Sequence, residues 1–135
     1  MADERGASPI ELALGLLLLV VPVSILALSI APVFEHRNFA SRAAAEAARV
    51  MVLADDDAEA AALNAIDAQA AGMGIDPGVV TVRFCGGAGC TLARGSLVTV
   101  EVSVAIPELS SFLPIGELTV RAIHAEQVDL YRSRP

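Results

Sequence analysis

Glu11 stands at the mouth of an uncharged apolar run from Leu12 to Phe34, and Cys85 and Cys90 flank the short stretch Gly86-Gly87-Ala88-Gly89. These residues are of types and at spacings that could do chemistry. An acidic residue at the centre of a membrane helix costs about 2.5–3.5 kcal/mol, and less near an end. Glu11 therefore calls for a cationic partner, or for a position from which it snorkels to the headgroups. Gly6 supplies a route to such a partner. A cut after Gly6 would make Ala7 the new N-terminus, with a free ammonium, and Glu11 the fifth residue of the mature chain. In apolar surroundings, losing one member of an ion pair costs several kcal/mol.

The cysteines read best as a disulfide closing a short loop, an assignment that depends on the domain lying outside the cytoplasm. A metal half-site or free thiols are the alternatives. Zinc needs three or four ligands, and only His36 and His124 are left to supply them. Gly86, Gly87 and Gly89 lack the Lys-Ser/Thr of a phosphate loop and do not open a helix, so they read as a turn. Asp55, Asp56, Asp57 and Glu59 lack the calcium-loop pattern and are better placed to cap a helix. No serine, cysteine or carboxylate forms a recognisable constellation with either histidine. The expectation is a protein that is not an enzyme and needs no cofactor or metal.

The elements that position these residues follow from patterning. From Leu12 to Phe34 a helix is about 34 Å long at about 1.5 Å per residue, enough to cross a hydrocarbon core of about 30 Å. The run is too long for the apolar centre of an ordinary secretory signal, although a cut near Ala27 to Ala31 is the competing reading. Pro22 and Pro32 fall inside it, where Ser24 and Ser29 could re-satisfy backbone groups. Arg5 on one flank and His36, Arg37 and Arg42 on the other leave orientation unassigned by charge. Phe39 to Leu53 is alanine-rich helix, with Arg42, Glu46 and Arg49 at i+4 and i+3 spacing on a wet face. It is expected to continue the membrane helix outward as a stalk. One of the three aspartates would cap a second helix, Ala58 to Ala71, ended by Gly72-Met73-Gly74, and Asp76-Pro77-Gly78 is a turn.

The rest alternates as strands do. Val80, Val82 and Phe84 oppose Thr81 and Arg83, and Val98, Val100, Val102, Val104 and Ile106 oppose Thr99, Glu101 and Ser103. The glycine run is the hairpin connection between them, and Pro107 to Pro114 is a loop or short helical turn. In the third run, Glu117 to Tyr131, His124 and Glu126 share the parity of Leu118, Val120, Ala122, Val128 and Leu130. Either a bulge resets the register there, or the strand has left the core. With four Phe, one Tyr and no Trp, the core is aliphatic, and so small a domain needs a staple or assembly for stability. The formal charge of −7, or −6 once Asp3, Glu4 and Arg5 are removed, argues against nucleic acid as a partner, since nothing in the sequence forms a basic stripe that could neutralise phosphates.

Arg5-Gly6-Ala7-Ser8-Pro9-Ile10-Glu11-Leu12-Ala13-Leu14 resembles the type IV prepilin signal, and more closely the opening of TadE-like minor pseudopilins of the tight-adherence (Flp, type IVb) pilus system. Ala43-Ala44-Ala45-Glu46-Ala47-Ala48-Arg49-Val50 is similar to the pattern that follows the span in that family, and the Val-rich strand after the cysteines fits it in outline. Two positions depart from the better-known pilins: Ala7 stands where they carry a methylated Phe, and Pro9 replaces an apolar third residue. Proline is sterically acceptable in a first helical turn. The resemblance implies cleavage between Gly6 and Ala7 by a prepilin peptidase, a cytoplasmic N-terminus, and pairing of Glu11 with the terminal amine of a neighbouring subunit. It implies as partners a major Flp-type pilin, other minor pseudopilins, an inner-membrane assembly platform and membrane lipid.

The expected fold is α+β: a single long N-terminal membrane-spanning helix continuing into a stalk, then a short helix and a small antiparallel β-sheet, a pilin-like lollipop. Its parts are a leader over 1–6, a transmembrane helix over 7–34, an extracytoplasmic stalk and second helix over 35–74, and a β domain over 75–135. The expected function is assembly of a type IVb pilus. An uncleaved signal-anchored binding domain outside the cytoplasm is the alternative.

Overall fold

The computed structural model describes residues 9–107, 116 and 118–131. It has an α+β layout of helix α1 (Pro9–Leu53), helix α2 (Ala58–Met73) and strands β1 (Val80–Phe84), β2 (Leu97–Ile106) and β3 (Leu118–Gln127). The chain divides into two compact units, Met1–Pro32 and Val33–Pro135, and α1 has a part in each.

The first unit contains the apolar part of α1. Its leucines and valines are exposed, and its most apolar window has a mean hydropathy of 2.7 with no residue buried. Among the described residues one helix is thus long and apolar enough to cross a membrane. Pro22 and Pro32 lie inside the helix without ending it. Each removes the N–H that would reach the carbonyl four residues back, that of Leu18 or Leu28. The Ser29 hydroxyl donates to the Ile25 carbonyl at 2.8 Å, one turn before Pro32. Ser29 therefore reinforces the turn beside the proline but serves a different carbonyl from the one the proline leaves behind.

In the second unit the three strands form an antiparallel sheet in the order β1-β2-β3. Val80 pairs with Val104 and Phe84 with Val100, while β2 pairs with β3 from Leu97↔Gln127 to Ile106↔Leu118. Period 2 puts Val98, Val100, Val102, Val104 and Ile106 on one face, and all five are fully buried. Over that face lie α1 and α2. Phe39, Ala40, Ala43, Ala44, Ala47, Ala48 and Met51 of α1 and Ala58, Ala62, Ile66 and Ala70 of α2 join the β2 valines and Val128 in one core. The α2 residues recur every fourth position, a single stripe down one side of the helix. The alanines that make α1 a strong helix also line its buried face, where their small side chains allow close approach. The outer part of α1 is therefore a wall of the core, with Arg42, Glu46 and Arg49 on its exposed side.

The caps agree in place with the sequence and differ in detail. Asp57 occupies the N-cap of α2 in the left-handed conformation (φ 44°), and its side chain makes no capping hydrogen bond. Its carbonyl accepts from the Ala61 N–H at 3.0 Å, so its carboxylate contributes charge near the helix N-terminus and no cap bond. At the other end Gly74 (φ 68°) and Ile75 donate back to the carbonyls of Ala71 and Ala70, closing the helix with left-handed glycine. The Asp76 carboxylate then accepts from the Gly78 N–H at 2.9 Å, which makes the expected turn into β1. The segment expected as a loop over Pro107 to Pro114 lies outside the described residues beyond Pro107.

Candidate functional site

Glu11 is in the first turn of α1, which begins at Pro9 among the described residues, in keeping with the tolerance of proline at that position. Its neighbours Ile10 and Leu12 are 73% and 67% exposed, so the carboxylate sits on an exposed apolar helix surface. Ile10, Glu11, Leu14, Gly15 and Leu18 line a notch of about 230 Å³ on that surface, nearly all of it apolar. Gly15 is one turn beyond Glu11, on the same side of the helix. Gly6 and Ala7, the two sides of the expected cleavage, lie outside the described residues.

Cys85 and Cys90 are joined in a disulfide with Cα atoms 5.3 Å apart. The bond closes a turn in which Gly86, Gly87 and Gly89 all have positive φ. A cradle for phosphate would aim successive N–H groups of a helix N-terminus outward, and this run leads into loop and strand instead. The connection from β1 to β2 is longer than the glycine run alone, since β2 starts only at Leu97. Ser96 ties its second half, donating from its hydroxyl to the carbonyls of Thr91 and Ala93 at 2.6 Å. Gly95 and Ser96 then exchange hydrogen bonds with Val128, the Gly95 N–H donating at 3.0 Å and the Val128 N–H at 2.9 Å. This prolongs the β2–β3 ladder beyond its formal end.

The histidines lie in different places. His36 is on α1, half-buried, and His124 is on the inward parity of β3. The register runs through His124 and Glu126 without a bulge, pairing them with Val100 and Val98. Their side chains are each 42% exposed, with Nε2 and Oε2 3.4 Å apart. They help line an open cleft of about 640 Å³ whose other walls carry Arg42, Glu46 and Arg49 from α1 and Gln69 from α2. The Gln69 Oε1 atom is buried and has no hydrogen-bond partner among the described residues, leaving an acceptor with capacity beside the cleft. The cleft can form hydrogen bonds and ion pairs, and the described residues that line it include no serine, threonine, cysteine or lysine. Sequence reading placed Arg42, Glu46 and Arg49 on a wet face without joining them to β3. The parity of His124 and Glu126 was the signal that a polar boundary begins there, and Gln69 gave none.

Among the described residues no three His, Cys, Asp or Glu side chains converge as a metal site would require. On the outer face of the sheet Arg121 pairs with Glu101 across β2 and β3, an exposed cation on a carboxylate that is 15% exposed. Such pairs support a sheet face and carry no reaction. No family model, no curated protein and no solved structure matches the chain.

Proposed function

We propose that this chain is a TadE-like minor pseudopilin, a non-enzymatic subunit that takes part in assembling a type IVb pilus. The observation that carries the reading is Glu11 in the first turn of a membrane-length helix, five residues after Gly6. A lipid-facing carboxylate is costly at depth and calls for a cation. Processing after Gly6 would provide one on every subunit, the ammonium of Ala7. The N-terminus would be cytoplasmic and the unit Val33–Pro135 extracytoplasmic, where its disulfide is at home. The partners are a prepilin peptidase, a major Flp-type pilin, other minor pseudopilins and an inner-membrane assembly platform.

The test is the intact mass of the protein purified from its own host membranes. A chain beginning at Ala7 is expected, and an added methyl would mark N-methylation. A chain beginning at Met1 or Ala2 would replace this reading with an uncleaved signal-anchored domain, and one beginning near residue 30 with a secreted protein. Within the processed protein, Glu11→Leu is expected to abolish association with other pilus subunits. Unchanged association would remove the pairing role.

A further inference from the structure

We infer that the free edge of β3 receives an extended strand from another protein, one that sets aliphatic side chains beside Leu118, Val120 and Ala122 and a basic side chain beside Glu126. This assignment uses only the unit Val33–Pro135 and is independent of how the N-terminus is processed. The order β1-β2-β3 gives the sheet two edges. β1 is a poor template, with five residues, Pro77 in the turn that leads into it and the disulfide turn at its end. β3 has ten residues, no proline and an unbroken register with β2. Edges are commonly blunted by shortness, proline or a bulge, and β3 has none of these. Its inward carboxylate, Glu126, stands at the C-terminal end, where it selects among partners and leaves the rest of the edge open.

The ladder tells which backbone groups are on offer. Val128 uses both of its own on the β2 side, its N–H donating to the Ser96 carbonyl and its carbonyl accepting from the Gly95 N–H. Alternation in an antiparallel pair then turns the groups of Leu118, Val120, Ala122, His124 and Glu126 the same way. Thr119, Arg121, Ile123, Ala125 and Gln127 turn theirs to the outer edge, where no further strand pairs with them among the described residues. Side chains decide the occupant. On the inward face β3 is apolar from Leu118 to Ala122 and polar at His124 and Glu126, each of them half-buried. A second copy paired antiparallel about Ala122 would set Leu118 against Glu126 and Val120 against His124, and a parallel copy in register would set Glu126 against itself. A different strand with aliphatic residues at one end and a basic one at the other suits both halves. The basic side chain would also enter the cleft, where Glu46 adds a second carboxylate. Arg42 and Arg49 line the same cleft, so it admits a single basic residue and repels a run of them.

The experiment uses the full chain in detergent and a fluorescent peptide, Lys-Thr-Thr-Thr-Val-Glu-Val-Thr-Val, whose antiparallel register puts lysine beside Glu126 and the valines beside Ala122, Val120 and Leu118. Anisotropy should show saturable binding, and hydrogen exchange should slow at the Arg121, Ile123 and Ala125 amides and not in β1. Exchanging the peptide's lysine for glutamate should weaken binding about tenfold, because an opposite-charge pair is lost and a like-charge pair gained. Glu126→Lys should restore the glutamate peptide, a rescue that a merely structural role for Glu126 would not give. Ile123→Pro removes an outward N–H and spares the β2–β3 ladder, so it should abolish binding. If that variant does not fold, the charge exchange decides alone. Absence of binding, or protection in β1 instead of β3, would overturn the proposal. A concentration-dependent dimer of the chain that Ile123→Pro abolishes would give the edge to a second copy and overturn it too. Binding indifferent to the charge exchange would overturn the chemistry assigned to the partner.

Discussion

Val100 and His124 are partners across the β2–β3 ladder, so one row of the inward face holds a fully buried valine beside a histidine whose side chain is 42% exposed. The next row repeats the contrast with Val98 and Glu126. The inward face of β2 is fully buried under the helices, and β3 is an edge strand whose C-terminal half opens onto the polar cleft. Truncation should therefore separate the two sides of the row. Val100→Ala removes two buried methyl groups and leaves a cavity, for a loss of about 2 kcal/mol. His124→Val removes no buried contact of that kind and should change stability by less than about 1 kcal/mol in either direction. Denaturant unfolding of the full chain in detergent, followed by circular dichroism, measures both. Equal losses would mean that His124 is as much a part of the core as Val100.

Ala44 and Ala47 are fully buried on α1, whereas Glu46 between them is exposed. Close packing leaves little room for added methylenes, so Ala44→Leu and Ala47→Leu should each cost about 1–3 kcal/mol. Glu46→Ala touches only the cleft wall and should stay within about 0.5 kcal/mol. The same unfolding experiment compares them. If the leucine variants were as stable as the parent, the outer part of α1 would be a solvated stalk and not a wall of the core.

That contrast shows what patterning conveyed and what it could not. Strict alternation in β2 is legible because each Val has a Thr, Glu or Ser beside it, and the strand has the expected bounds, Leu97–Ile106. Gly74 was equally legible as a helix stop, because left-handed backbone there favours glycine. The alanines of α1 were not. Alanine is the best helix former and is also small enough to bury, so propensity and burial give the same letters. Only the fold tells which side of the helix faces the core. At the candidate site, the pairing of Cys85 with Cys90 could be argued from spacing and compartment. The cleft could not, since Arg42, Gln69 and His124 come from three elements whose juxtaposition has no local signature.

Gly95 is held beneath Leu130. With φ at +74°, a Cβ at Gly95 would lie 2.9 Å from Leu130 Cδ2. The Gly95 carbonyl also accepts from the Gln127 side chain at 3.2 Å, and its N–H donates to Val128. Gly95→Ala should therefore destabilise by about 1–2 kcal/mol, mostly through the left-handed backbone, since Leu130 is exposed and can turn aside. A double-mutant cycle separates the causes. Adding Leu130→Ala to Gly95→Ala should recover only a small part of the loss. Full recovery would assign the cost to the side-chain collision instead.

The Cys85–Cys90 bond makes a last, separable contribution. The closed loop is short, with a sequence separation of 5, and a loop of that size restricts the unfolded chain by about 2 kcal/mol on the loop-entropy view. Both cysteines also pack against the core, so alanine replacements are preferable to serine, which would bring a hydroxyl to that surface. The double variant Cys85→Ala/Cys90→Ala should lose about 2 kcal/mol, and reduction of the parent should lose a similar amount. The strand register should nevertheless survive, because a slip by one residue would turn the buried β2 valines outward. Hydrogen exchange is the discriminating measurement. Faster exchange confined to the loop and β1, with β2–β3 amides still protected, is the expected result. Loss of protection through β2 would mean that the bond sets the register, and that the valine alternation alone does not.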